Sequence, residues 1–424
     1  MPAPREHAPL QFQKSTHREV HFALYDELAG ALTALNPADA QYATRFVDLL
    51  LAEGRRRGAS DLHLQPTPDG LELRFRVDGV LAPVGTFPPG VAANTISRLK
   101  VLAELLTYRS DVPQEGRIRA TAVDFEVRVS TFPTLHGERA VVRLFSGKSR
   151  FRHLDDLDLP QEVVTRLRRL LGETSGAILI TGPAGSGKTT TLYACLNELV
   201  DHALVPRSIV TLEDPIEMAI PAVTQSQINE QAGFNLATAL RSVLRQDPEV
   251  IMVGEIRDRA TAEAAMQASL TGQLVLSSFH AGSAASAVRR LLDMGLEPYA
   301  LRSGLLAILF QRLVRRLCQC ARGATNDDEL LGLNVRRASV PAGCVACGGT
   351  GYWGRTVLAE MLPLDDDALS QAILARSELA VLEQRALAAG MVDRWARAAA
   401  AVEAGVTSPA EVRRVLGFSD NPSE

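Results

Sequence analysis

The chain has 424 residues, about three domains' worth of sequence, and its 46% apolar and 22% charged residues are the balance of a folded protein rather than a disordered or fibrous one. Its 45 basic residues against 49 acidic ones leave a net charge of −4, which excludes a protein held on DNA or RNA by bulk charge and leaves only local patches to consider. Four of the basic residues are lysines (Lys14, Lys100, Lys148 and Lys188), and in so arginine-rich a chain Lys188 marks a place where arginine does not serve.

Residues 1–40 are weakly patterned and read as a short arm. Met1–Gln13 is polar and carries no apolar signal core, and apolar runs such as Leu305–Phe310 are far shorter than the ~20 residues of a membrane span. A cytoplasmic protein that reaches a membrane through partners is expected. Residues 41–58 carry Phe46, Val47, Leu50 and Leu51 on one helical face. Strand alternation follows in Leu71–Val77, closed by an Asp78-Gly79 hairpin turn, and again in Phe125, Val127 and Val129. The reading is an α+β domain over 41–146 with arginine-bearing strand faces, and a boundary in Ser146–Pro160.

Ala177–Ile180 is an apolar run that ends in a Gly-rich turn and enters a helical pattern from Lys188 to Leu199. Ser208–Leu212, Val250–Val253 and Leu274–Ser277 are further apolar runs. Strands alternating with helices predict an α/β domain over 147–315 whose parallel sheet is covered on both faces. A cysteine module over 316–358 and a helical region over 359–424 complete the chain. In the latter, Gly405 reads as a helix stop and Ser408-Pro409-Ala410-Glu411 as a capping box.

Gly182-Pro183-Ala184-Gly185-Ser186-Gly187-Lys188-Thr189 fits G-x-x-x-x-G-K-[ST] between a strand and a helix. Such a loop wraps phosphates with backbone N–H groups at a helix N-terminus. Lys188 supplies a compact charge for the β- and γ-phosphates, where arginine's planar fork would not fit. Thr189 is the expected Mg²⁺ ligand, and Thr190 extends the nucleotide-binding stretch. A Gly-rich structural turn is the alternative. Two acidic strand ends follow, Thr211–Glu217 with Glu213 and Val250–Asp258 with Glu255 and Arg257, placed to hold Mg²⁺ or orient water. His280, after Ser277-Ser278-Phe279, is read either as a γ-phosphate sensor or as structural.

Cys318-Gln319-Cys320 and Cys344-Val345-Ala346-Cys347 make a C-x-C and a C-x₂-C pair. The second has zinc-knuckle spacing and the first is one residue short, so zinc and an empty cysteine cluster both stay open. Cys195, inside the helix after the loop, reads as core.

From about residue 46 to 418 the chain resembles the ATPases of type II secretion and type IV pilus assembly. The resemblance rests on Gly58–His63, Arg74–Gly79, Pro113–Ile118, Arg128–Thr134, Gly137-Glu138-Arg139, Gly182–Tyr193, Leu212–Glu217, Leu244–Asp258 and Gly351–Arg355. It implies a RecA-like P-loop ATPase domain preceded by a PAS-like α+β domain. It further implies a homo-hexamer with ATP and Mg²⁺ at subunit interfaces, working with inner-membrane platform and recruiting proteins. Arg128 and Arg143 stand in family-like positions for reaching ATP from a neighbouring domain, with Arg117 and Arg139 as further candidates; Arg241, Arg245 and Arg257 lie beside the acidic signature. The cysteines point to the secretion and assembly branch rather than to retraction motors. With so short an arm, the full N-terminal docking domain of longer relatives is not expected.

Four departures from the family pattern stand out: Ala184 for Thr, Glu249 for Asp, Gln273 for a second phosphate-sensing His, and Glu115 for Asp. A type II secretion motor is the leading reading and a pilus assembly motor the second. The alternatives from other classes are a nucleic-acid translocase using Arg55-Arg56-Arg57 or Arg312–Arg316, and an inactive scaffold subunit.

Overall fold

The computed structural model describes residues 26–118, 125–146, 151–202 and 205–418; Lys14, Lys148 and most of the N-terminal arm lie outside them. The chain divides into two compact units. One comprises the described residues up to Leu144 with two later segments, Cys318–Ala321 and Pro341–Tyr352; the other holds the remainder.

The first unit opens with helices α1 (Asp26–Thr33) and α2 (Tyr42–Arg56) and strands β1 (Ala59–Thr67), β2 (Gly70–Val77) and β3 (Val80–Phe87). It continues with α3 (Ala92–Leu102), β4 (Gln114–Ile118), β5 (Phe125–Thr134) and β6 (Gly137–Ser146). The six strands form one sheet in the order β3-β2-β1-β6-β5-β4. Phe46, Val47 and Leu50 of α2 join Leu71, Leu73 and Phe75 of β2 in its core. Asp78 (φ 48°) and Gly79 (φ 81°) make the expected hairpin turn, both central residues having positive φ. In the segment read as an arm, α1 buries Leu28 and Leu32 in the same core; two anchors on an eight-residue helix are too faint a pattern to read. Lys100 is fully buried, and its ammonium donates to both Glu138 oxygens (2.9 Å each) and to the Arg109 carbonyl (2.6 Å).

The second unit contains α4 (Gln161–Leu171), β7 (Gly176–Thr181), α5 (Lys188–His202), β8 (Ile209–Glu213), β9 (Thr224–Gln227), α6 (Leu236–Val243), β10 (Val250–Ile256), α7 (Arg259–Leu270) and β11 (Leu274–Phe279). After these come α8 (Ala284–Asp293), α9 (Pro298–Gly304), β12 (Leu305–Leu317), a short β13–β14 ribbon (Arg322–Gly323, Ser339–Val340) and β15 (Tyr352–Met361). The sheet order is β15-β12-β7-β11-β10-β8-β9, and the pairs from β12 to β9 run parallel. Alternate residues feed two cores: Ala177, Leu179, Ile251 and Val253 face one, and Ile178, Ile180, Val250 and Met252 the other. The apolar runs of the sequence are thus strands buried on both faces. The sheet reaches past residue 315, since β12 runs on to Leu317 and β15 forms its edge.

Helices α10 (Asp367–Leu374), α11 (Leu379–Ala388), α12 (Arg394–Glu403) and α13 (Pro409–Leu416) close the chain. Two fully buried carboxylates pin this region. Glu360 of β15 accepts from the amides of Ala284 (3.0 Å) and Arg394 (2.9 Å) and from the Arg394 guanidinium (3.0 Å). Glu411 accepts from the Arg315 amide (3.0 Å) and guanidinium (2.7 Å) and from Arg414. Ser408 caps α13 by accepting from the Glu411 amide (3.2 Å), which is one half of the expected capping box, while the Glu411 carboxylate turns to Arg315 and Arg414; Gly405 (φ 69°) follows α12 as expected. Among the described residues no helix is long and apolar enough to cross a membrane.

Candidate active site

The loop Gly182–Gly187 leaves the C-terminal end of β7 and enters α5 at Lys188. Three of its residues have positive φ: Gly182 (141°), Gly185 (73°) and Gly187 (89°). At Gly182 the backbone conformation and the space both demand glycine, because a Cβ would lie 2.4 Å from the Gln311 carbonyl oxygen and 2.6 Å from Ser186 Oγ. Lys188 is 9% exposed and donates to the carbonyls of Gly182 and Pro183 at 2.9 Å each, so its charge sits within the loop. Burial lowers its pKa, and the negative charge of Glu255 opposes that shift. Thr189 and Thr190 follow in the first turn of the helix, half-buried.

The next three strands in the sheet, β11, β10 and β8, end on the same edge as the loop. Opposite Ser277–Phe279 of β11, β10 carries an extra residue between Val253 and Ile256, a bulge that re-aims Glu255. The Glu255 carboxylate meets His280 Nε2 at 2.8 Å and accepts from Arg257 Nε at 2.8 Å. The structure therefore brings His280, which the sequence offered separately, to the Glu255–Arg257 pair. Ser278 Oγ donates to the Gly254 carbonyl (2.6 Å) and ties the two strand ends together.

Glu213, at the end of β8, is 3% exposed and held by three donors: Tyr193 Oη (2.5 Å), Thr211 Oγ1 (2.6 Å) and Gln225 Nε2 (3.0 Å). Burial and the adjacent carboxylate push the Tyr193 phenol far up, so it stays a donor. Tyr193 and Thr211 lie within motifs the sequence offered, though nothing there marks them as anchors of Glu213, whereas Gln225 and Gln311 lie outside the motifs and look like ordinary strand sequence.

Gln273 and Glu249 lie elsewhere. Gln273 precedes β11, and its carbonyl accepts from the amide of Gly176 at the start of β7 (3.2 Å). Glu249 precedes β10 and accepts from the Ser208 amide (2.8 Å). Both sit at the strand edge opposite the loop, so position 273 does not face the phosphate loop of its own sheet, whatever residue it carries.

The candidate arginines divide between the units. Arg257 is beside Glu255, with its side chain 67% exposed, and Arg241 and Arg245 are exposed on and just after α6. Arg117, Arg128, Arg139 and Arg143 belong to the first unit. There Arg117 and Arg128 are cross-strand neighbours, Arg139 contacts His63 Nδ1 at 3.1 Å, and Arg143 donates to Asp61 at 2.9 Å. The basic runs considered for nucleic acid are engaged with protein groups. Arg312 donates to the Val415 carbonyl, Arg315 pairs with Glu411 and Arg316 with Asp158, while Arg56 and Arg57 both hold Glu53.

The four module cysteines converge despite the short C-x-C. All four Sγ atoms lie within 4.8 Å of one another, with 3.8 Å for Cys318–Cys344 and Cys320–Cys347 and 3.7 Å for Cys344–Cys347. A tetrahedron of sulfurs around zinc at about 2.3 Å has edges of about 3.8 Å, so this donor set fits that ion. Burial would raise the Cys347 thiol, but amides of Cys344 and Gly351, each 3.2 Å from its sulfur, hold it at about 7. Burial and neighbouring thiols push Cys320 up to about 12. A second donor group, His153, Glu198 and His202, is less suited to a metal, because Arg168 clasps Glu198 with two bonds of 3.1 and 3.0 Å. Cys195 is fully buried in α5, as expected.

The family model described as "Type II/IV secretion system protein" matches residues 36–414. The chain is 40% identical over 400 residues to the type II secretion system protein HxcR of Pseudomonas aeruginosa, covering 92% of this chain and 81% of that one. It is 39% identical over 364 residues to the type IV pilus assembly ATPase PilB of Thermus thermophilus, covering 83% and 40%. In fold it is similar to the Legionella pneumophila ATPase DotB, with a TM-score of 0.66, 21% identity and coverage of 87% and 95%.

Proposed function

The chain belongs to the type II/IV secretion system protein family, and from that premise we propose that it is the ATP-hydrolysing motor of a type II secretion machine. The observation that carries the chemistry is the loop with its buried Lys188 on the same sheet edge as the Glu255–His280–Arg257 cluster. The loop amides and Lys188 receive the phosphates of ATP. Glu255 holds and deprotonates the attacking water, with His280 fixing the carboxylate's direction. The Thr189 hydroxyl and, through water, Glu213 would hold Mg²⁺, which supplies charge neutralisation along the phosphates when bound. Arg128 and Arg143 complete the site from a neighbouring subunit of a homo-hexamer, so that hydrolysis drives rigid-body motion of the units. Cys318, Cys320, Cys344 and Cys347 hold one zinc ion as a structural clamp. Partners are the platform and recruiting proteins at the cytoplasmic face of the inner membrane.

A pilus assembly motor is the second reading, favoured by the likeness to PilB. The secretion reading is preferred because the type II secretion relatives are matched over most of their length. Replacing the gene in its host with Lys188→Ala is expected to abolish protein export while surface pili persist. Intact export with lost pili would favour the second reading, and intact export and pili would overturn both.

A further inference from the structure

We propose that Gln311 is the positioning residue of the phosphate loop; this rests on the loop's reading as the nucleotide site. Gln311 lies in β12 just beyond its last register pair with β7, Phe310 opposite Thr181, and so flanks the point where the loop departs. It is a polar side chain at the end of a wholly apolar run, and it is 2% exposed. Both ends of its amide are used: Nε2 donates to the Ser186 carbonyl at 2.8 Å, and Oε1 accepts from Thr191 Oγ1 at 3.0 Å. Ser186 and Thr191 are each 3% exposed, so neither bond is exchanged for water at no cost.

The first bond sets the direction of the loop's amides. In a trans peptide the carbonyl and the next N–H point opposite ways. Anchoring the Ser186 carbonyl on Gln311 therefore turns the Gly187 N–H away from β12, to the side where the loop receives an anion. The second bond locks the first turn of α5, so one amide spans loop and helix. Two loop glycines make room for this residue, Gly182 for its backbone and Gly187 for its side chain. A Cβ at Gly182 would strike the Gln311 backbone oxygen at 2.4 Å, and one at Gly187 would crowd Nε2 at 3.1 Å. With its amide bonded to the Ser186 carbonyl and the Thr191 hydroxyl, Gln311 acts through the loop.

The test uses the full chain with Gln311→Glu, which keeps size and the acceptor for Thr191 but cannot donate to Ser186, and Gln311→Met, which keeps length alone. Binding of a fluorescent ADP analogue, KM and kcat for ATP, and thermal midpoints are measured well below unfolding. Positioning predicts that Kd and KM rise about tenfold in both variants, more than kcat falls, the cost of one lost hydrogen bond to a buried carbonyl. A lowered thermal midpoint with Kd and KM within twofold of wild type would overturn it. If neither variant folds, Thr191→Val takes their place, with a rise of at least threefold expected and no change contradicting the proposal. Wild type that fails to bind the analogue, or Lys188→Ala binding as well as wild type, would instead sink the nucleotide reading itself.

Discussion

Gly182 and Gly185 both carry positive φ in the same loop, yet alanine should affect them very differently. At Gly185 (φ 73°) a Cβ meets nothing within 4 Å, so Gly185→Ala costs only the left-handed conformation, about 1–2 kcal/mol. At Gly182 (φ 141°) the same methyl would lie 2.4 Å from the Gln311 carbonyl oxygen and 2.6 Å from Ser186 Oγ. The backbone strain there is about 1–3 kcal/mol, and relieving the overlap by moving β12 or the loop adds about 1–3 kcal/mol. Gly182→Ala should therefore be less stable than Gly185→Ala by about 1–4 kcal/mol, roughly a 0.3–1.3 M difference in urea midpoint for an m-value near 3 kcal/mol/M. The assay is urea unfolding of both variants side by side, followed by circular dichroism. Indistinguishable midpoints would refute the close approach of β12 to the loop, and with it the reason for glycine at 182.

Other parts of the account are open to equally direct tests. Metal analysis should find about one zinc per chain in wild type and almost none in Cys320→Ser, since four sulfurs are needed to close the tetrahedron; full zinc in Cys320→Ser would remove the C-x-C from the site. For Glu411, burial alone would raise the carboxyl, but Arg414 and Arg315 outweigh it and hold its pKa below the usual value. The stability it contributes is then complete above about pH 4.3, the unfolded carboxyl's range, and is lost as pH falls through its folded value. The lead of wild type over Glu411→Gln in urea midpoint should be full at pH 7 and shrink below about pH 4, and a lead that does not change with pH would contradict the pairing.

What the sequence made legible was local. The Gly182–Thr189 pattern is contiguous, and the phosphate loop follows from it without any tertiary contact. The runs Val250–Val253 and Leu274–Ser277 are visible as strands because burial on both faces makes them continuously apolar. The meeting of Glu255 with His280 was not legible, since it depends on the parallel register of β10 with β11 and on a one-residue bulge. Position 273 lies at the strand edge away from the loop of its own sheet, which a sequence motif does not reveal. Gln311 ends an apolar run and looks like the edge of a strand until the loop's carbonyl is seen beside it. The cysteine spacing left zinc and an empty cluster both open, because it cannot show that two segments distant in sequence bring all four sulfurs within 4.8 Å of one another. Lys100 answers a question the composition raised: its three-donor ammonium matches three oxygens in the first unit's interior, where a planar guanidinium would not.

The central claim is that ATP bound by the loop is hydrolysed with Glu255 as the base. The measurement that tests it most directly is a comparison of purified wild type with Glu255→Gln, reading nucleotide binding and phosphate release on the same samples. The account predicts ATP binding within a few-fold of wild type and phosphate release reduced at least about 100-fold. Phosphate release at the wild-type rate from Glu255→Gln would contradict it.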